Sequence, residues 1–522
     1  MTDRAVPASV NKWWVAVTVM IPTAMEILDT SVANVALPHI RGSLNASVDE
    51  VTWVLTSYLV ANAVVLPMTG WLAAMFGRRR FLLGCVAGFT LASFLCGSAP
   101  SLGFLIAVRV LQGLFGGALQ PMSQAILLET FPREEHGTAM GVFGMGIVAA
   151  PVLGPVLGGY ITDHFSWRWI FYINVPVGLV SLFATFTAIT DPAYLESQRR
   201  RIDLIGMGLL AVGIGALQVM LDKGSREDWF SSRFIMTCAA LALVGLTALV
   251  WWELYGTDHP VVDLRVFRTR SFSIGCLVMF LVFASFFASI VLLPLYLQEL
   301  MGYTAYEAGI VLGPGGAITI AAMPIVGKLS QRGHARKLLV VGLVVTSLSL
   351  YLMSRFSLQA DFWAVIEPRL WQGFAISMFF VPLTALTVAD VPRAEMGNAT
   401  GLFNLVRNIG GAIGVSTVST LLERGAQKYQ VRIAESLDVF DPGHANATTH
   451  LDRLLSIRGV PLPDAPAVGL RALYGEVQRQ ALMLSFNHAF YLLFLAVLLV
   501  SPAALLFKGR SGGPSPPLPV EG

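Results

Sequence analysis

PREEHGTAMGVFGMGIVAAPVLG, residues 132–154, and PRAEMGNATGLFNLVRNIGGAIG, residues 392–414, are two versions of one segment placed 260 residues apart. Pro132, Arg133, Glu135, Gly137, Ala139, Gly141, Phe143 and Gly154 find their identical partners at Pro392, Arg393, Glu395, Gly397, Ala399, Gly401, Phe403 and Gly414. The register also holds upstream, where Arg109, Gln112 and Gly113 align with Arg369, Gln372 and Gly373. A neighbouring shift of 257 pairs Gly70, Leu72 and Arg79 with Gly327, Leu329 and Arg336. A 522-residue chain with this self-similarity is built from two copies of one unit.

The repeated unit is apolar. Of the whole chain 55% is hydrophobic and only 13% charged, roughly half the charge of an ordinary soluble domain. Candidate membrane helices fall near 13–37, 51–76, 81–99, 102–128, 139–161, 169–189, 204–221, 234–252, 272–297, 308–326, 338–353, 362–389, 399–422 and 486–507. Each is about as long as is needed to cross a ~30 Å hydrocarbon core. The repeat period spans eight of these fourteen, and the matching stretches occupy the second to fifth and the tenth to thirteenth. The expected fold is therefore an all-α polytopic membrane protein of two six-helix bundles with two helices inserted between them. The divisions are a tail at 1–12, a first bundle at 13–189, inserted helices with linkers at 190–271, five helices of the second bundle at 272–422, an outward segment at 423–485, the last helix at 486–507 and a tail at 508–522. Parallel repeats around a midplane site are the organisation of alternating-access secondary transporters.

Lys and Arg accumulate in cytoplasmic loops. With both termini inside, nineteen fall on the cytoplasmic side, among them Arg78, Arg79, Arg80, Arg133, Arg265, Arg336 and Arg393, against six in the short outward loops. This threefold bias places both termini in the cytoplasm. The net charge of +3 is scattered over loops, which excludes a nucleic-acid binder. Cys85, Cys96, Cys238 and Cys276 lie inside apolar runs without metal-ligand spacing, and are read as free buried thiols. The first apolar segment is too long for a cleaved signal. Ala322 stands where a phosphate-binding loop ending at Gly327 and Lys328 would need glycine, and no hydrolase elbow or zinc motif occurs. Neither a metal nor a cofactor is expected, nor is an enzyme.

A charge at mid-membrane costs about 2.5–3.5 kcal/mol on insertion scales, so the few present point to function. The first helix carries Glu26 and Asp29 a turn apart, followed by Thr30 and Asn34. Two carboxylates in a low-dielectric cavity cannot both ionise cheaply, which suits a proton carrier; the alternative is a polar stripe lining a wet cavity. Arg109, Gln112, Gly116, Gln120 and Gln124 recur at helical spacing on the fourth span. Arg109 serves either proton movement or interhelical hydrogen bonding. On the thirteenth span Asn404, Arg407 and Asn408 cluster, attracting anionic groups or gluing helices. The cavity residues expected are Asn34, Tyr58, Asn62, Gln112, Gln120, Phe283, Phe287, Trp371, Asn404 and Arg407. Gly146, Ala150, Gly154 and Gly158 recur every four residues beside Pro151 and Pro155, a spacing that lets helices approach closely. In the outward segment Tyr429, Ile433 and Leu437, and again Leu473 and Val477, recur at four-residue spacing, predicting amphipathic extensions.

Leu28 to Pro38 (LDTSVANVALP), Gly70 to Arg80, Arg109 with Gln112 and Gly113, Gly154 with Pro155, Gly158 and Gly159, and Trp167 to Gly178 occur in order. Together they resemble the major facilitator superfamily, and within it the fourteen-helix drug:proton antiporters of the EmrB type. The resemblance runs nearly the full chain. It implies proton coupling through Asp29 and Arg109, to which the carboxylate pair on the first helix adds Glu26, with conformational motifs at Gly70, Gly77, Arg78, Gly154, Pro155, Gly158 and Gly159. The loop motif departs from the superfamily at Ala74, where an acidic residue is usual. The implied activity is export of hydrophobic or amphipathic toxic compounds from the bacterial inner membrane, driven by the proton gradient. The implied partners are an EmrA-like membrane-fusion adaptor in the periplasm and an outer-membrane channel. A dedicated single-metabolite exporter, a proton symporter and a non-transporting membrane scaffold or sensor are the competing readings.

Overall fold

The structure is a computed structural model describing residues 11–191, 202–436 and 465–507, apart from the side chains of 151, 152, 155, 305, 306, 436 and 465–467. Among the described residues there is no strand. The helices are α1 (Lys12–Ser43), α2 (Val48–Phe76), α3 (Arg78–Gly97), α4 (Leu102–Thr130), α5 (His136–His164), α6 (Trp169–Ala188), α7 (Leu204–Lys223) and α8 (Arg233–Gly256). They continue as α9 (Arg270–Leu300), α10 (Ala305–Leu329), α11 (Ala335–Met353), α12 (Phe362–Thr387), α13 (Met396–Ser436) and α14 (Ala465–Val500). All fourteen are long enough to cross a bilayer.

Local chemistry sets where the chain reverses. Ser47 and Glu50 form a capping box that starts α2, and Thr304 and Glu307 form another that starts α10. Each satisfies two backbone donors that the first turn leaves open. A single residue, Gly77 at φ +81°, separates α2 from α3, and Gly333 at φ +82° folds α10 back into α11. Both conformations are ones that a side chain disfavours.

Packing repeats with an offset of eight helices. The pair α1 with α5 is matched by α9 with α13, α2 with α4 by α10 with α12, and α3 with α4 by α11 with α12. The pair α3 with α6 is matched by α11 with α14. This recurrence is the physical form of the sequence repeat, and it defines two six-helix bundles. Helices α7 and α8 pair with each other and α7 also packs on α2.

One end of the molecule carries Arg78, Arg133, Arg336 and Arg393, and we call it the basic end. There the bundles meet backbone to backbone. A Cβ on Gly137 would sit 2.7 Å from the Gly327 carbonyl oxygen, one on Gly401 would sit 2.6 Å from that of Leu66, and one on Gly70 would collide with the Asn398 backbone. Gln331, in the turn between α10 and α11, donates to the Thr138 hydroxyl of α5 across the same seam. At the opposite end the α7–α8 hairpin fastens to both bundles. Lys223 donates to the Thr52 hydroxyl and Thr56 donates to Asp222 on the α2 side. Trp229 Nε1 donates to Thr420 Oγ1 at 2.8 Å and Ser225 to Glu423 at 3.0 Å on the α13 side.

The predicted amphipathic extensions are real helix as far as the description reaches. At 1.5 Å per residue, the 41 residues of α13 span about 60 Å, twice the hydrocarbon thickness. Its far turns pack against α14, with Tyr429 edge-on to His488 and Gln430 donating to Tyr474. Leu437 and the tip at 437–464, together with Arg4, Arg199, Arg200, Arg201, Lys508 and Arg510 of the charge bias, lie outside the described residues.

Candidate functional site

Asp29 of α1 is 3% exposed, yet its carboxylate lacks no partner. Arg109 Nη1 donates to Oδ2 at 2.5 Å, while Gln112 Nε2 and Asn174 Nδ2 donate to Oδ1 at 2.9 and 2.7 Å. Behind them Ser93 accepts from Gln112 at 2.7 Å and from Asn174 at 3.2 Å. Four helices thus converge on one carboxylate. Arg109 is held from three further sides: Nε donates to the Val54 carbonyl at 3.0 Å, Nη1 to Gln112 Oε1 at 2.8 Å, and its guanidinium carbon lies 4.2 Å from the Tyr58 ring centroid. A desolvated cation over an aromatic face gains about 2 kcal/mol or more.

Glycines bring these helices close enough. A Cβ on Gly113 would lie 2.5 Å from the Tyr58 carbonyl oxygen, so α4 can lie on α2 only because position 113 has no side chain. Gly154 faces Ser31 with less room still, and a Cβ on Gly158 would touch Val32 at 3.1 Å. The small residues of α5 therefore seat α1 within two residues of Asp29. Gly159 has open space before it, and the Pro155 side chain lies outside the description.

One turn along α1, Glu26 is 4% exposed and heads a second network. Its Oε1 accepts from Tyr58 Oη at 3.1 Å and Asn62 Nδ2 at 3.0 Å, and its Oε2 accepts from Gln120 Nε2 at 2.5 Å. Arg407 of α13 donates to Gln120 Oε1, and Asn404 donates to Gln124 Oε1 at 2.6 Å. The polar chain Glu26–Gln120–Arg407 therefore crosses between the bundles. Tyr58 joins the two networks, since its hydroxyl binds Glu26 and its ring faces Arg109.

Beside Arg407, whose guanidinium lies 5.8 Å from the Phe283 ring centroid, Phe283 packs against Phe286, Phe287, Phe379 and Phe380. Of the remaining expected cavity residues, Asn34 is exposed, Phe287 is 37% exposed and Trp371 is 45% exposed. Among the described residues no three His, Cys, Asp or Glu side chains are grouped to hold a metal.

The model of the Major Facilitator Superfamily matches residues 19–415. The chain belongs to the major facilitator superfamily. It is a multi-pass membrane transporter, not an enzyme. It is 38% identical to the Multidrug export protein EmrB of Escherichia coli (strain K12) over 496 residues, 94% of this chain and 95% of that protein. It is 36% identical to the Fatty acid resistance protein FarB of Neisseria gonorrhoeae over 502 residues, 96% of this chain and 97% of that one. Among solved structures, the human organic anion transporter MFSD10 (TETRAN) superposes with a TM-score of 0.58 at 13% identity, covering 93% of this chain and 99% of that chain, a likeness of fold.

At the loop between α2 and α3, where the sequence raised the expectation of a conformational motif, the structure adds a contact that the motif left open. With Ala74 in place of the usual acid, Arg78 forms its ion pair with Glu129 at the end of α4. Both side chains are more than nine-tenths buried. Glu129, Ser93 and the hydrogen bonds of Asn174 to Asp29 were not foreseen from the sequence. The available signal for Glu129 was an acidic residue in the last turn of an apolar helix, facing a loop with three consecutive arginines. The neutral pair Ser93 and Asn174 gave no comparable signal.

Proposed function

We propose that this transporter exports hydrophobic and amphipathic toxic compounds across the bacterial inner membrane in exchange for protons, using no bound cofactor. The observation that carries the reading is a fully buried ion pair, Asp29 with Arg109, linked through Tyr58 to a polar chain that reaches the second bundle. A proton arriving from outside neutralises Asp29 and leaves Arg109 as an uncompensated buried charge. Breaking a buried pair in this way costs about 3–5 kcal/mol. Any arrangement that rehydrates Arg109 or gives it another acceptor is then favoured, and because Tyr58 touches Arg109 and Glu26 alike, that rearrangement reaches Gln120 and Arg407. Loss of the proton inward rebuilds the pair. One charge crossing 100 mV contributes about 2.3 kcal/mol, comparable with the cost of that unpairing.

The Phe283 cluster and the charged pair of ends, Glu26 and Arg407, suit compounds with an apolar body and a polar head. The basic end is assigned to the cytoplasm. The long helices α13 and α14 at the opposite end are assigned to docking an EmrA-like membrane-fusion adaptor, which would lead to an outer-membrane channel. The names of the relatives, export of multiple drugs and resistance to fatty acids, support the substrate class.

The test is accumulation of a fluorescent dye and of an amphipathic acid in proteoliposomes under an imposed pH gradient. Gradient-driven movement that Asp29→Asn abolishes is the expected result. Uphill movement by Asp29→Asn at the unaltered rate refutes coupling at this site, and no movement of any compound by the intact protein refutes export.

A further inference from the structure

We propose that the second bundle contains a monovalent-anion site at Arg369. The repeat register of 260 residues that pairs Arg109 and Gln112 with Arg369 and Gln372 also pairs Asp29 with Ser289. The structure reproduces the geometry at each pair. Gln112 Nε2 donates to Asp29 at 2.9 Å, and Gln372 Nε2 donates to Ser289 Oγ at 2.8 Å. Arg109 Nη1 donates to Gln112 Oε1, and Arg369 Nη1 donates to Gln372 Oε1. The second bundle thus holds a copy of the Asp29 network with a hydroxyl where the carboxylate belongs.

The substitution leaves the cation unbalanced. Arg369 is 6% exposed, its Nε is buried with no hydrogen-bond acceptor, and among the described residues no carboxylate lies within ion-pair distance of it. Ser289 cannot serve as counter-ion, because its hydroxyl is neutral; it accepts from Gln372 and donates to the Phe286 carbonyl at 2.7 Å. Gly315 packs tightly on Arg369 from α10, since a Cβ there would stand 2.8 Å from the Arg369 carbonyl oxygen and 3.0 Å from Nε, so α10 brings no side-chain acceptor at this position. A buried guanidinium with one hydrogen bond and no counter-charge is strongly destabilised. It is balanced by an anion from solution in the place that the Asp29 carboxyl group fills in the first bundle. The chemistry required is a single negative charge with acceptor lone pairs, supplied by a halide or by the carboxylate of a ligand. The site stands whether or not the chain exports drugs.

The experiment uses the full chain purified in detergent, with thermal unfolding followed as a bulky sulfonate salt is exchanged for sodium chloride or sodium acetate at constant ionic strength. A ligand that binds only the folded state raises Tm with the logarithm of its concentration above Kd. The intact protein is expected to show that rise. Ser289→Asp is expected to melt higher in the sulfonate salt and to lose the response, because its carboxylate replaces the anion. Should that variant not fold, Arg369→Gln is expected to lose the response as well. A response to chloride alone assigns the site to an inorganic ion, and a response to acetate alone assigns it to a carboxylate-bearing ligand. A flat Tm for the intact protein in both salts overturns the proposal, as does an undiminished response in a folded variant. Bromide exchanged into crystals of the intact protein gives an independent reading: an anomalous peak beside the Arg369 guanidinium is expected, and its absence at saturating bromide overturns the site.

Discussion

Replacing Arg109 by Gln removes the counter-ion of Asp29 and leaves a carboxylate 3% exposed with only the amides of Gln112 and Asn174 to stabilise it. Breaking a buried pair from one side costs about 3–5 kcal/mol. Asp29→Asn breaks the same pair from the other side, at similar cost, although Gln112 and Asn174 keep an oxygen to donate to. The combined variant carries no charge at either position. What it loses is hydrogen bonding, chiefly the donor to the Val54 carbonyl, and an unsatisfied buried group costs about 1–3 kcal/mol. The double variant should therefore be more stable than either single one, with a coupling energy of at least about 3 kcal/mol, the upper end for contacting residues. The assay is the order of melting temperatures of the intact protein, both single variants and the double variant at neutral pH, beside gradient-driven uptake for all four. The double variant is expected to melt between the intact protein and the singles while remaining unable to use the pH gradient. Additive destabilisation would refute the claim that mutual neutralisation holds this site together, and uphill transport by the double variant would refute its role in coupling.

Glu26→Gln should weaken binding of cationic substrates several-fold while leaving neutral ones nearly unchanged, because the new amide loses the charge and turns one donor toward Gln120 Nε2; equilibrium dye binding in detergent measures it. Gly401→Ala places a methyl group 2.6 Å from the Leu66 carbonyl oxygen, so the seam at the basic end cannot close fully. Labelling of a Thr138→Cys reporter by an impermeant maleimide should rise several-fold in that background, and an unchanged rate would count against closure at this seam. The native thiols at 85, 96, 238 and 276 are all buried. They should react with maleimide only after denaturation, which a simple thiol titration checks.

The repeat made the two-bundle plan legible because a helix pair that packs well once packs well again, and the glycines at 137, 141, 397 and 401 survive in both copies. Asp29 and Arg109 were legible for a different reason. A charge inside lipid is too costly to occur without purpose, so each advertises the other. Asn174 and Ser93 carry no such penalty, and their convergence on Asp29 depends on the rotation of α6 and α3, which hydropathy does not encode. Trp371 shows the same limit from the other side: an aromatic residue on a span reads equally as cavity lining or as outer surface, and it is 45% exposed. The partner of Arg78 was hidden because Glu129 sits beyond the expected end of its span at 128, where an acidic residue looks like an ordinary loop charge. The fastening of α7 and α8 to Thr52, Thr56 and Thr420 was hidden because hydroxyl groups are neutral, and their partners lie about 170 to 190 residues away in the chain.

That fastening sets a division of labour. The α7–α8 hairpin is a stay of fixed length anchored to both bundles at the end away from the glycine seam. On the α2 side it is held by the buried Lys223, whereas its bonds to α13 include exposed partners, such as Ser225 with Glu423 and Arg424 with Asp228. Exposed ion pairs contribute about 0–1 kcal/mol each, so the α13 attachment yields first and the hairpin travels with the first bundle. The ease with which this face opens is thereby set by a few surface residues far from Asp29. The ease of opening and the buried pair at Asp29 are consequently written in different parts of the chain, and selection can retune the first without disturbing the second.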